Sequence, residues 1–222
     1  MTIILVLLLF GTFLLIDYVR TRGNVPQIAG ERATYASPSA PAKELVEGFQ
    51  VPANLHYHAG HGWAQRERAS LMRVGVDEFA ADLLGKVDGI ELPKPGRWVR
   101  QGQKVWGFTR NGEKTEMVSP VEGEIVEVNP EVVKNPSRMY TDPFGQGWLM
   151  TVNVPDEESV QHNFMPERLV KDWIEDCAAR LFAEQPQLAG PVMADGGRPK
   201  DFAAALPNTN WREVTHEFFL DA

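Results

Sequence analysis

The chain has 222 residues, with 30 acidic against 22 basic side chains and a formal net charge of −8. That balance, with no run of basic residues, argues against nucleic-acid binding, and the length allows one core plus appendages or at most two small domains. Cys177 is the only cysteine, which excludes an intrachain disulfide and a cysteine-based zinc cluster.

Residues Thr2–Ile16 (TIILVLLLFGTFLLI) are uncharged and almost wholly apolar. A membrane span takes about 20 apolar residues, about 17 at the short end, and this run reaches that length with Met1 and Asp17–Val19. A cleaved signal peptide is the competing reading. The absence of Lys or Arg ahead of the run, and of a small-x-small cleavage site after it, favours an uncleaved anchor over residues 1–20. Arg20 and Arg22 follow it, so the positive-inside bias predicts a single-pass protein of the inner (cytoplasmic) membrane, with its N-terminus outside and its C-terminal domain cytoplasmic. Residues 21–52 are rich in Pro, Ala and Ser and read as a tether, with a helical turn or two over Ala42–Phe49.

His56, His58 and His61 fall within six residues. Imidazole is a good ligand for zinc, copper or nickel, so the three are candidate metal ligands. No HExxH spacing and no adjacent carboxylate supports them, and the expectation is no metal. Ala69–Val76 alternates as a strand. Asp77 to Gly85 then reads as a short helix with Asp at its N-cap and Gly just past its end, and Phe79, Leu83 and Leu84 share one face. Strands follow over Val87–Pro93 and 97–100. The half-way Trp98 reads as a core or rim aromatic.

Two β-prone runs, Val105–Phe108 and Thr115–Val118, flank Asn111-Gly112. Asn-Gly between such runs predicts a two-residue hairpin loop, because a type I′ turn needs positive φ at both positions. Arg110 then faces Glu113, Thr109 faces Lys114, Phe108 faces Thr115 and Trp106 faces Met117. Trp106, Phe108 and Met117 share one face, and Lys114 lies on the other. A strand over Glu124–Val128 comes next, then a short helix over Pro130–Ser137 that ends at Asn135-Pro136, and a last strand over Trp148–Val154.

Several motifs stand in one order: Tyr57-x-x-x-His61-x-Trp63, the short helix ending Leu84-Gly85, Glu91-Leu92-Pro93, Pro93-x-x-Gly96-x-x-Val99-x-x-Gly102, Ser119-Pro120-Val121-x-Gly123 through Val128-Asn129, and Asp142-Pro143-Phe144-Gly145-x-Gly147-Trp148-Leu149. Together they resemble the H protein of the glycine cleavage system. The resemblance runs from about Tyr57 to about Pro155. It implies a mainly β fold with flanking helices, a lipoyl-domain-like β-sandwich or flattened barrel, whose protruding hairpin carries lipoate on a lysine. Counted back from Ser119-Pro120-Val121, the family's lipoyl-lysine position falls on Gly112. The nearest lysine is Lys114, the candidate attachment site if the arm is loaded at all.

Met165–Gln185 reads as an amphipathic helix with Leu169, Trp173, Cys177 and Leu181 recurring at i+4, beside Val170 and Ile174. It closes a domain of residues 53–185, and Cys177 on its stripe reads as a small buried hydrophobe. The tail, 186–222, has Trp211, Val214, Phe218 and Leu220 at helical spacing. It either folds back on its own domain or docks into a partner's groove.

No nucleophile elbow, P-loop or dinucleotide fingerprint is present, so the chain is not expected to be an enzyme. Two readings follow. One is a membrane-anchored, non-lipoylated H-protein-like domain, with no cofactor, that serves as a binding or scaffolding subunit for a protein partner in a membrane-associated complex. The other is a working lipoyl carrier modified on Lys114.

Overall fold

A computed structural model describes residues 45–68, 70–189, 202–206 and 208–220. The expected membrane anchor (1–20) and the tether up to residue 44 lie outside the described residues. No helix among the described residues is long and apolar enough to cross a membrane.

The helical turn expected over Ala42–Phe49 is instead a small hairpin where the chain is described. β1 (Leu45–Val46) pairs antiparallel with β2 (Phe49–Gln50). Glu47 and Gly48, at φ 49° and 87°, make the reversal, and glycine takes that conformation at little cost. Phe49 is buried edge-on against Phe79, with ring centroids 5.3 Å apart.

The body holds two antiparallel sheets. The larger has the order β3 (His56–Tyr57), β4 (Gly62–Arg68), β5 (Leu71–Val76), β11 (Met150–Asn153), β10 (Gly123–Val128) and β7 (Trp98–Val99). The smaller has the order β6 (Gly89–Glu91), β8 (Lys104–Arg110) and β9 (Glu113–Val118). Alternate residues of both sheets enter one core: Val74, Val76 and Val152 come from the first, and Trp106, Phe108 and Met117 from the second. The fold is mainly β with flanking helices.

The helices follow their sequence signals with particular departures. α1 (Glu78–Leu84) starts at Asp77, whose Oδ1 accepts from the Ala80 amide at 2.8 Å, and stops at Gly85 with φ 63°. Such a cap is worth about 1 kcal/mol. α2 (Pro130–Lys134) starts at Asn129 and ends at Asn135, but the chain turns helical again after Pro136, in α3 (Ser137–Thr141). α4 (Glu157–Gln161) is a single capped turn. α5 (Glu167–Glu184) buries Val170, Ile174, Cys177, Ala178 and Leu181. The buried face is rotated from the one expected: Leu169 is 40% exposed, because the buried residues run i, i+4, i+7, i+8, i+11 from Val170.

After a 3₁₀ turn (Pro186–Leu188), α6 (Phe202–Ala205) and α7 (Asn208–Phe218) complete the described chain. Trp211, Val214, Phe218 and Phe219 are all buried, and the Trp211 indole Nε1 donates to the Leu83 carbonyl at 3.0 Å. Of the two arrangements the sequence leaves open, this is the fold-back one. The apolar stripe is occupied by its own domain, while Leu220, at 49% exposure, stands outside it. Burying each Phe-sized side chain contributes about 1.5–3 kcal/mol.

Candidate functional site

The site is the finger formed by β8 and β9. The register is Trp106↔Met117, Phe108↔Thr115, Thr109↔Lys114 and Arg110↔Glu113, as the Asn-Gly loop predicts. Asn111 (φ 49°) and Gly112 (φ 84°) supply the two positive-φ positions that match the right-handed strand twist. The loop is held on one side by Asp88, whose carboxylate accepts from the Asn111 amide at 2.6 Å. A Cβ built on Gly112 would meet nothing within 4 Å, so the apex is open space.

Lys114 sits one pair below the apex on the outward face. Its Nζ lies 2.7 Å from Glu91 Oε2 and 3.6 Å from Glu116 Oε1. To reach Glu91 the side chain runs back across β8 at Gly107, where an added Cβ would fall 2.9 Å from Lys114 Cε. Gly107 pairs with both Glu91 and Glu116, so its missing side chain opens the channel in which Lys114 lies. The hydrogen bond that the ammonium donates to Glu91 is the main reason it is held above the ordinary lysine range. An amine so placed is protonated and folded down along the sheet, away from the apex.

The sequence did not point to Glu91, because the β6–β8 pairing joins segments separated by a long connection. The available signal was Gly107 inside an otherwise bulky strand, since an interior glycine marks a close approach by another group. Nor did the sequence place α7 against β9. There Arg110 sits 6.0 Å over the Trp211 ring, and Lys104, Gly112, Glu113, Lys114, Glu116, Arg212 and His216 line a cleft of about 540 Å³.

The three histidines do not converge. His56 stacks on Phe164 at 5.1 Å. His58 accepts from the Gly60 amide at 3.1 Å, and burial, aided by the nearby His61, pushes its imidazole down. His61 is buried between Phe79 (4.5 Å) and Trp173 (4.7 Å), with Nδ1 2.8 Å from Asp77 Oδ2. Burial opposes its charge, but the Asp77 carboxylate outweighs burial by charge and hydrogen bond. A further hydrogen bond with Cys177 adds to this, and the imidazole is pushed up to about 9. Among the described residues no group of three or more His, Cys, Asp or Glu could hold a metal ion. Cys177 itself is buried on α5, as its place on the apolar stripe predicts.

Comparison with known proteins places this arrangement. The family model described as glycine cleavage H-protein matches residues 55–176, more than half of the chain. A glycine cleavage system H protein from Mycobacterium leprae (strain TN) is 34% identical over 106 residues, covering 48% of this chain and 80% of that protein. One from Myxococcus xanthus is 36% identical over 110 residues, covering 50% and 84%. A crystal structure of an H protein from Mycobacterium marinum is 31% identical with a TM-score of 0.44, covering 47% of this chain and 87% of that one. The match leaves out β1 and β2 on one side and the last turns of α5 through α7 on the other. The family model and these two relatives show that the chain belongs to the glycine cleavage H-protein family.

Proposed function

We propose that this family member works as a non-lipoylated binding or scaffolding module, whose finger is a recognition surface rather than a loaded arm. The chain is not an enzyme, in keeping with a family of non-catalytic carriers. The observation that carries the reading is the apex. Gly112, where the family resemblance puts the lipoyl lysine, offers no amine to acylate. The nearest amine, Lys114, is drawn down the outer face to Glu91. A carrier arm must project clear of its body and reach several active sites in turn, since the cofactor performs the chemistry and the protein supplies position. The apolar stretch Thr2–Ile16 supports a membrane anchor, and anchoring raises the effective concentration of the module near membrane-bound partners.

A second reading is favoured by the relatives themselves, which are named as glycine cleavage system H proteins. In it the chain is a lipoyl carrier loaded on Lys114, which is 45% exposed and within reach of a modifying enzyme once Glu91 releases it. An in vitro loading assay with a lipoate ligase separates the two. The first reading predicts no lipoyl transfer to the wild-type chain and measurable transfer to Gly112→Lys, whose Cβ meets no atom within 4 Å although φ 84° there strains any residue but glycine. Loading of the wild type, abolished by Lys114→Arg, establishes the second reading instead.

A further inference from the structure

Six tryptophans punctuate the chain, and five of them have their rings engaged or enclosed. Trp63 and Trp106 are fully buried, and Trp173 stacks on His61. Trp148 lies under the Arg73 guanidinium at 5.0 Å, and Trp211 under that of Arg110 at 6.0 Å. Trp98 differs. It is 49% exposed on β7, the edge strand of the larger sheet, with no ring or cation partner among the described residues.

Trp98 lines a concave site of about 190 Å³, and no basic side chain lines that site. Glu122 and Asp156 lie in the same lining. Glu122 has no hydrogen bond or ion pair among the described residues. Asp156 uses Oδ1 to accept from the Ser159 amide at 3.1 Å, capping α4. The floor is fixed by Gln101, whose Nε2 donates to the carbonyls of Pro120 (2.9 Å) and Val160 (3.1 Å). Its Oε1 accepts from Asn163 Nδ2 at 2.6 Å. The site therefore combines a half-exposed indole, two carboxylates and an amide held by three hydrogen bonds, and its volume suits one compact cation.

We propose that the Trp98 pocket receives an arginine or lysine side chain of a partner protein, its charge over the indole and between Glu122 and Asp156. An aromatic face attracts a cation through the negative potential of its π-cloud, and the molecule already uses that pairing internally at Trp148 and Trp211. Carboxylate acceptors add charge-assisted hydrogen bonds, and the net charge of −8 attracts a basic partner over longer range. The inference gives the binding-module reading a partner chemistry. It rests on that reading only for its biological use, because its test reads Trp98 alone and a lipoyl group on Lys114 would leave the result unchanged.

The test is an NMR titration of the full chain in neutral detergent micelles with N-acetyl-arginine amide and, in parallel, its uncharged isostere N-acetyl-citrulline amide. The Trp98 indole signal is assigned by its loss in Trp98→Phe. The expected result is a saturable shift of that signal by the arginine probe and a response to citrulline at least about tenfold weaker. Trp98→Ala should weaken arginine binding, followed on the remaining amide signals, by about twofold to fivefold. Glu122→Gln with Asp156→Asn, which keeps an N-cap on α4, should weaken it further. An unmoved Trp98 signal, or equal responses to arginine and citrulline, overturns the proposal.

Discussion

The Lys114 ammonium and the Glu91 carboxylate meet at 2.7 Å across the width of β8, in the groove that Gly107 leaves open. The contact joins the two outer strands of the finger sheet, because Lys114 is on β9 and Glu91 on β6. It also decides where the nearest amine to the apex points.

Removing Glu91 should therefore free that amine. Glu91→Gln loses the largest contribution that raises Lys114, so the Lys114 pKa should fall toward its ordinary value. Acylation of Lys114 by an amine-reactive ester near neutral pH should then speed up, as followed by peptide mass mapping. Stability should change by less than about 1 kcal/mol, because an exposed pair contributes little. An unchanged labelling rate would show that Glu91 does not restrain the amine.

Buried His61 makes stability depend on pH. Its imidazole is raised above the unfolded value of 6.5 to about 9, so its contribution is fully present below about pH 6.5 and is lost as pH rises through about 9. Asp77 and Cys177 are the titratable groups that face it, with His58 close enough to feel its charge. Wild-type stability in urea should decline over that window by up to about 3 kcal/mol. His61→Asn should be less stable at pH 6 and should lose the decline. A decline that persists in the variant would assign it to another group.

Much of the finger could be read directly from the chain. Asn111-Gly112 and the alternation on either side set the turn type and the register, because a two-residue I′ loop leaves only one pairing. The helix from Asp77 to Gly85 was legible for a similar reason, since cap chemistry is local. The Lys114–Glu91 contact and the lid formed by α7 were not. Both depend on which distant segments share an edge, and no local propensity encodes that. The hairpin at Leu45–Gln50 was misread as helix because a short apolar-polar stretch fits either period. Burial of Phe49, a tertiary effect, decided it.

Thr115 faces the core opposite Phe108, and its hydroxyl is buried with no hydrogen-bond partner among the described residues. Thr115→Val replaces that hydroxyl with a methyl of nearly the same shape. An unpaired buried polar group costs about 1–3 kcal/mol, so the variant should gain about 1 kcal/mol, seen as a higher midpoint in denaturant. A loss of stability would mean that a buried water satisfies Thr115.

Trp211→Ala tests the fold-back of α7. It removes a fully buried indole and leaves the Leu83 carbonyl without its donor, a change expected to cost about 3–5 kcal/mol. The tail should then become sensitive to limited proteolysis at lower temperature. Equal protease resistance in variant and wild type would contradict the packing of this helix on the domain.

The account stands or falls on what the finger carries in the cell. Intact-mass measurement of the protein purified from its native host, followed by peptide mapping of residues 104–118, reads this directly. The account predicts the unmodified mass and a free amine at Lys114. A lipoyl amide on Lys114, present in most molecules, would contradict it.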